Sequence, residues 1–224
     1  MYKGHSITVV IPCLNEEDAI GKVLDEVPEF VDDVIVVDNN SEDRTAEIAE
    51  SKGATVIREL QRGYGRAYKT GFSKAKGDII VTLDGDHSYP IRDLQRLLDT
   101  FFNFNVDFLS CCRFPVMNSE AMSFKHWIGN KILSLFMAIL YKTPIEDSQS
   151  GMWVFKRNIL PLMKLRSDGM AFSEEIKIEA IRNKSITFKE EHIKYSARKG
   201  EIKLRPWRDG IVNLLFLFRK RLFP

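Results

Sequence analysis

Two aspartates separated by one glycine, Asp84-Gly85-Asp86, are the residues of this sequence best suited to hold a metal ion. Carboxylate oxygens are the ligands that Mg²⁺ and Mn²⁺ prefer, and both ions can bind phosphate oxygens as well. The small central glycine would let a diphosphate approach the backbone. An ordinary Asp-Gly turn would have the same residues, so the prediction depends on the position of the motif directly after the apolar run 79–83.

Three further polar clusters stand at similar places. Residues 15–16 follow the first apolar run, and Asp38 ends the second, where an acidic residue can accept hydrogen bonds from a ribose or a base edge. Helix capping within 39–41 would explain that second cluster equally well. The loop 62–66 is basic and rich in glycine, so its amides and arginines could cradle phosphates.

Asp147 belongs to a fifth cluster, 147–151, which precedes the strand-like run 152–155. It could act as a base, contact a ribose or be an ordinary turn residue. From composition alone the turn is the preferred interpretation.

The elements that position these clusters alternate in the first half of the chain. Continuous apolar runs at 7–11, 34–37, 55–57 and 79–83 predict buried parallel strands, with amphipathic helices between them. Asn15 and Ser41 are the predicted N-caps of the first two helices. This order predicts an α/β fold with right-handed crossovers, in which a ligand lies beyond the carboxyl ends of the strands.

The second half is less regular. Residues 124–141 are apolar over most of a helix circumference, which indicates a helix that is buried or that meets lipid. Residues 172–183 predict another helix. An apolar patch at 211–218 is followed by three basic residues, 219–221.

Composition narrows the function classes. The net charge of +2 is too small to indicate nucleic acid. From residue 194 onward, however, the sequence has nine basic residues and only two acidic ones. This excess of positive charge suits an anionic ligand or membrane surface, although a solvated basic face would have the same composition. The spacing of Cys13, Cys111 and Cys112 fits neither a zinc motif nor a disulfide framework, so we expect reduced thiols in an intracellular protein.

Six motifs, in this order, resemble those of family 2 glycosyltransferases, and most closely the dolichol-phosphate mannosyltransferase and polyprenyl-phosphate glycosyltransferase group. Each motif alone is modest, but together they span residues 7 to 203. They are Ile11-Pro12-Cys13-Leu14-Asn15-Glu16, Val37-Asp38-Asn39-Asn40-Ser41, Gly63-Tyr64-Gly65-Arg66-Ala67, Asp84-Gly85-Asp86-His87-Ser88, Asp147-Ser148-Gln149-Ser150-Gly151 and Arg198-Lys199-Gly200-Glu201-Ile202-Lys203.

The resemblance implies a GT-A fold with a mostly parallel sheet, and inverting transfer from a nucleotide sugar of the GDP-mannose or UDP-glucose type. It implies Mg²⁺ or Mn²⁺ at Asp84 and Asp86. Ser88 stands where the mannosyltransferases have a third ligand, Gln, and is our candidate there. The predicted nucleotide-sugar-binding residues are Pro12, Asn15, Glu16, Asp38, Asn40, Arg66, Asp84, Gly85 and Asp86.

For the acceptor, the resemblance implies a polyprenyl or dolichyl phosphate held by cations. Arg113 matches the family's acceptor arginine, although Cys111-Cys112 replaces Gly-Ser before it. Arg198 and Lys203 match a later motif of the family, in which this sequence has Ile202 where the family has Ser. A further family arginine has no clear match in this sequence, and Lys125 is the nearest cation. The predicted catalytic residues are Asp86, Asp147 and Arg198.

Two other functions remain open from the sequence. Transfer to a glycan or glycolipid hydroxyl would need a carboxylate base, for which Asp147 is the candidate, whereas a phosphate oxygen is already anionic. A non-catalytic nucleotide-sugar-binding protein is the third interpretation.

The predicted organisation is a GT-A domain over 1–204, followed by a basic and apolar helix over 205–224 that docks on a membrane. No apolar run approaches the ~20 residues of a membrane span. We therefore expect a peripheral protein on the cytoplasmic face of a membrane, without nucleic acid as a partner.

Overall fold

The computed structural model describes residues 1–116, 121–200 and 206–223. The strands are β1 (Ile7–Cys13), β2 (Asp33–Asp38), β3 (Thr55–Arg58), β4 (Ile79–Thr82), β5 (Phe108–Cys112), β6 (Trp153–Lys156) and β7 (Phe188–His192). The helices are α1 (Ile20–Asp25), α2 (Thr45–Ser51), α3 (Tyr64–Lys74), α4 (Leu94–Asn103), α5 (Phe124–Tyr141), α6 (Phe172–Arg182) and α7 (Pro206–Leu222).

The strands form one sheet in the order β3-β2-β1-β4-β6-β5-β7. All neighbouring pairs are parallel except those of β6, which runs antiparallel to β4 and β5. The predicted α/β fold with a mostly parallel sheet is confirmed. Because β6 begins where β4 and β5 end, Arg113 and Met152, at the two ends of the connection between β5 and β6, lie at the carboxyl edge of the sheet.

Both faces of the sheet are covered, which is why its strands are continuous apolar runs. Along β1, Val9 and Ile11 pack with α1 and α4 on one face, whereas Val10 packs with α3 and α6 on the other. A third apolar cluster joins α5, α6 and α7. The sheet is thus fixed from both sides, and its carboxyl edge is the rigid platform for the polar loops.

The two predicted helix caps are wrong. α1 begins after Ala19 and α2 after Arg44, and neither residue caps its helix through a side chain. Instead, Asn15 Oδ1 accepts from the backbone N–H of Glu42 at 2.8 Å, and Ser41 Oγ accepts from the N–H of Asn15 at 2.9 Å. Because β1 and β2 are adjacent and parallel, their following loops meet, and these polar side chains join one loop to the other.

Candidate active site

The aspartate motif lies at the carboxyl edge of the sheet, directly after β4. Tyr64 Oη donates to Asp84 Oδ1 at 3.1 Å. Asp86 Oδ1 accepts from the backbone N–H of Ser88 at 3.0 Å and from its hydroxyl at 2.5 Å. These hydrogen bonds hold both carboxylates in place before any ligand binds.

The charge of this pair is only partly balanced by the protein. Burial, and then the neighbouring carboxylate of Asp86, raise the pKa of Asp84 to about 7. A divalent cation between the two side chains would relieve that repulsion. The donors are hard carboxylate oxygens, so the residues fit Mg²⁺ or Mn²⁺. The hydroxyl of Ser88 contacts Asp86, and its role as a third ligand stays a prediction.

Two glycines keep the surroundings of the aspartates open. A Cβ on Gly85 would lie 2.5 Å from Cys13 Sγ. A Cβ on Gly151 would collide with Tyr64 Oη and lie 3.2 Å from Asp84 Oδ1. A larger residue at either place would therefore require Cys13 or Tyr64, or the glycine's own backbone, to shift.

Arg198 is brought to the same site from the other end of the chain. Its guanidinium contacts Glu16 Oε1 at 3.2 Å and Asp86 Oδ2 at 3.6 Å. The backbone N–H of Lys199 donates to the carbonyl of Asp86 at 2.9 Å, and that of Ser196 donates to the carbonyl of Ser88 at 3.0 Å. The segment 196–199 therefore lies along the loop that carries Asp84, Asp86 and Ser88.

Arg113 and Asp147 form a buried ion pair beside this site. Arg113 Nε and Nη2 donate to the two oxygens of Asp147, both at 2.8 Å, and the Arg113 backbone N–H adds a third bond at 3.0 Å. Burial alone would raise the pKa of Asp147, but the charge and hydrogen bonds of Arg113 lower it to about 2. A carboxylate held in this way is a poor proton acceptor near neutral pH.

Five of the predicted nucleotide-binding residues lie along the ends of β1 and β2: Pro12, Asn15, Glu16, Asp38 and Asn40. Asp38 is buried, and its Oδ1 accepts from the N–H of Ser41 at 3.1 Å. Pro12 pairs in register with β2, and Glu16 links this region to the aspartates through Arg198. Asn40 has a positive φ of 65°, in the loop that follows Asp38.

The loop 59–66 is held by residues that the sequence analysis did not select. Asn39 Nδ2 donates to the carbonyls of Glu59 and Gln61, while its Oδ1 accepts from the N–H of Gly63 at 2.7 Å. Arg66 Nε contacts Glu59 Oε2 at 3.2 Å. This ion pair directs Arg66 toward its own loop, so its contact with a diphosphate stays a prediction.

A cavity of about 390 Å³ is lined by residues of both ion pairs, Arg198–Asp86 and Arg113–Asp147. Five predicted residues line it: Asp84, Asp86, Arg113, Lys125 and Arg198. The cavity is also lined by residues that the sequence did not identify as site residues: Tyr64, Tyr89, His126, Gln149, Tyr195 and Asn213. Tyr64 and Gln149 belong to the quoted motifs and could have been found by adjacency, whereas His126 and Asn213 are helical residues far from any motif.

The C-terminal helix α7 is part of the site. Asn213 Nδ2 donates to Gln149 Oε1 at 2.9 Å, and Gln149 Nε2 donates to Glu174 Oε1 at 2.6 Å. Lys220 is buried against Glu175 and Glu179 at 3.1 and 2.8 Å. The basic composition of the tail had suggested that Lys220 is a surface cation, whereas the structure buries it. Lys203 and the predicted boundary at 204–205 lie outside the described residues.

Helices α5 and α7 each present a second, apolar face to solvent. Their exposed apolar residues are Phe124, Trp127, Ile128, Ile132, Leu135 and Ile139 on α5, and Ile211, Val212, Leu215, Phe218 and Leu222 on α7. Within the described part of the chain, none of the helices has the length and hydropathy needed to cross a membrane.

Comparison with known proteins identifies related chains. The family described as "Glycosyl transferase family 2" matches residues 8–161. A low-salt glycan biosynthesis hexosyltransferase, Agl6 of Haloferax volcanii, is 33% identical over 95% of this chain, which spans 53% of that relative. A dolichyl-phosphate hexose transferase of the same organism is 32% identical over 93% of this chain and 91% of its own length.

Solved structures agree with the fold. The crystal structure of glucosyl-3-phosphoglycerate synthase from Mycobacterium tuberculosis, in complex with Mn²⁺, UDP and glucosyl-3-phosphoglycerate, superposes with a TM-score of 0.75. The match covers 97% of this chain and 80% of that one, at 20% sequence identity. At that identity the comparison identifies the GT-A fold and leaves the substrate open.

Proposed function

The chain belongs to glycosyltransferase family 2, and we propose that it transfers a hexose, with inversion, from a nucleotide sugar to a polyprenyl or dolichyl phosphate. One observation carries the proposal: a single cavity is lined by the two aspartates, by the cations Arg113, Arg198 and Lys125, and by residues of α5 and α7. A site that joins an anionic donor to an anionic acceptor needs both kinds of charge.

The donor would lie across the ends of β1, β2 and β4. Asp38 and Asn40 would contact the base and ribose, with Pro12, Asn15 and Glu16 beside them. Gly85 leaves room for the diphosphate, and Arg66 would have to leave Glu59 to reach it. Asp84 and Asp86, with Ser88 as the candidate third ligand, would hold Mg²⁺ or Mn²⁺. When bound, that ion neutralises the diphosphate and makes it a better leaving group.

The acceptor phosphate would be held by Arg113, Arg198 and Lys125, and we include Lys203 from the sequence. Its anionic oxygen would form the new bond to the anomeric carbon as the bond to the diphosphate breaks on the opposite side. The nucleoside diphosphate is the leaving group, and no proton needs to be removed from the acceptor.

Asp147 takes a different role in this proposal from the one a hydroxyl acceptor would require. Its carboxylate is fully buried and accepts hydrogen bonds from two of the three guanidinium nitrogens of Arg113, Nε and Nη2. We therefore assign it the positioning of Arg113. Transfer to a glycan hydroxyl with Asp147 as the base is the second candidate, and binding without catalysis is the third.

We propose that the lipid-facing surface is formed by the exposed apolar faces of α5 and α7, with Arg219 and Arg221 near its end. Apolar side chains flanked by cations suit the interface of an anionic membrane. The protein would be peripheral, on the cytoplasmic face. Residues 1–204 would form the catalytic domain, and 205–224 a docking element that also completes the site through Asn213.

A donor-by-acceptor screen tests the proposal. The full chain is incubated with Mn²⁺, a labelled nucleotide sugar such as GDP-mannose or UDP-glucose, and a short polyprenyl phosphate. We expect label in the organic phase, and none with the corresponding polyprenol, which has a hydroxyl in place of the phosphate. Label on glycan hydroxyls instead, across all donors, would favour the second candidate. Donor binding without turnover would favour the third.

A further inference from the structure

A second cluster of metal-ligating side chains lies outside the proposed active site. Cys112 Sγ, one Glu146 carboxylate oxygen and one His192 ring nitrogen all lie within 4.8 Å of one another. The three residues come from the end of β5, the loop before Asp147 and the end of β7. We propose that they form a binding site for a thiophilic divalent cation of the zinc type, distinct from the hard-ion site at Asp84 and Asp86.

The orientation of His192 supports this site. Its Nδ1 contacts the carbonyl oxygen of Phe114 at 2.5 Å. A carbonyl can only accept a hydrogen bond, so Nδ1 is the donor, and in the neutral imidazole Nε2 is the nitrogen that can bind a metal. Nε2 lies 3.9 Å from Glu146 Oε1. A backbone carbonyl that accepts from the other ring nitrogen is the usual arrangement of a metal-binding histidine.

The other two ligands are also positioned by the fold. Cys112 and His192 are register partners in the parallel pair β5–β7, so their side chains leave the sheet on the same side. Glu190 accepts from the backbone N–H groups of Glu146 and Asp147 at 2.7 and 3.2 Å, which fixes the loop that carries Glu146.

The donor set indicates which ion would bind. One sulfur, one nitrogen and one oxygen match Zn²⁺, whereas Mg²⁺ and Mn²⁺ prefer oxygen alone. Tetrahedral coordination needs donor separations of roughly 3.5 Å, so the side chains must close by about 1 Å. The side chains of Glu146 and His192 are 59% and 56% exposed and can move by that amount. Their exposure also provides an entry path and a position for water as the fourth ligand.

Binding would have a local consequence. The ion would displace the thiol proton of Cys112 to solvent and leave a neutral centre with one thiolate, one carboxylate and one imidazole. Cys112 precedes Arg113 in the chain, and Glu146 precedes Asp147. The ion would therefore join the two segments that form the buried ion pair, together with β7.

Cobalt substitution tests the site directly. The full chain is freed of metal with a chelator and titrated with Co²⁺, which gives a near-ultraviolet charge-transfer band only when a thiolate is a ligand. We expect one equivalent to give the band in the unmodified protein and in Asp86→Asn, which removes the hard-ion site. Cys111→Ala is the matched control and should keep the band, whereas Cys112→Ala should lose it.

A second measurement covers the case in which Cys112→Ala does not fold. His192→Gln and Glu146→Gln change exposed side chains, and each should weaken Zn²⁺ binding by at least about 10-fold in calorimetry. Zn²⁺ at 100 times its Kd should raise the Tm of the unmodified chain by about 5 °C or more. The absence of the band in folded protein, its survival in Cys112→Ala, or unchanged zinc affinity in both Gln variants would overturn the proposal.

Discussion

Two regions of this molecule, near the same cavity, hold buried carboxylates whose pKa values are shifted in opposite directions. At the end of β4, Asp84 and Asp86 face each other, and the pKa of Asp84 is raised to about 7. In the connection between β5 and β6, Asp147 is matched by the guanidinium of Arg113, and its pKa is lowered to about 2. The first region is only partly balanced by Arg198, so a bound cation would supply the remaining positive charge, while the second is already neutralised by the protein. The same residue type therefore serves ligand binding in one place and positioning in the other.

Removal of Asp86 should have the largest effect on this comparison. We expect Asp86→Asn to lower kcat of hexosyl transfer by about 10³-fold, because the charge on the leaving diphosphate would no longer be offset. Initial rates with saturating Mn²⁺ measure it, and circular dichroism checks the fold. Near-normal activity in folded Asp86→Asn would mean that the metal is held elsewhere.

The effect of Asp147 should appear first in stability. Asp147→Asn leaves Arg113 buried without a counter-charge, so we expect the free energy of unfolding to fall by about 3–5 kcal/mol in urea titrations. Arg113→Met combined with Asp147→Leu should be less destabilising than Asp147→Asn alone, because no charge is stranded. If Asp147 were a general base, folded Asp147→Asn would instead lose most of its kcat and the acidic limb of its pH–rate profile, with little change in stability.

The pH dependence of stability follows from the same pair. The pKa of Asp147 is depressed in the folded state, so its contribution is fully present above its unfolded value near 4 and is lost as pH falls toward 2. Urea midpoints measured from pH 5 to pH 2 should drop in the unmodified chain. The Arg113→Met, Asp147→Leu variant should show a smaller drop over that range, and equal slopes for both would contradict the assignment.

Arg198 contacts Asp86 in the first region and lines the same cavity as Arg113, and its removal should give an intermediate effect on catalysis. We expect Arg198→Gln to lower kcat/KM for polyprenyl phosphate by about 10- to 100-fold, since one charged hydrogen-bond donor to a phosphate is removed. Arg96→Gln, which changes an exposed arginine paired with Glu191, is the control. Similar losses in both variants would indicate a general effect of charge.

The smallest predicted effect separates the surface cations of α7 from its buried one. Arg219→Gln and Arg221→Gln should each lower partitioning onto anionic vesicles by about 5-fold, because an arginine near such a surface contributes about 1 kcal/mol. Lys220→Gln should leave vesicle binding nearly unchanged and lower the Tm, since Lys220 binds Glu175 and Glu179 inside the fold. Co-sedimentation and thermal unfolding distinguish the two outcomes.

The sequence by itself determined the fold class and the position of the aspartate pair at the carboxyl edge of the sheet. Apolar runs at β1, β2, β3 and β4 are local signals, and polar residues at the ends of parallel strands must meet at one edge. That reasoning located Asp84, Asp86 and Asp38, and the family resemblance added Arg113 and Arg198. It failed for Asn15 and Ser41, because a capping residue looks the same whether it binds its own helix or the neighbouring loop.

Only the tertiary structure decided which distant residues meet. Arg113 and Asp147 are 34 residues apart, and Lys220 and Glu175 are 45 apart. Their pairing depends on the antiparallel entry of β6 and on the packing of α7, which no local pattern encodes. The spacing of the cysteines gave no sign of a metal site, whereas the register of β5 and β7 pairs Cys112 with His192, and the loop before Asp147 brings Glu146 beside them. The periodicity of apolar residues predicts which side of their own helix or strand is buried. Which buried charges are paired depends on contacts between elements that are far apart in the chain.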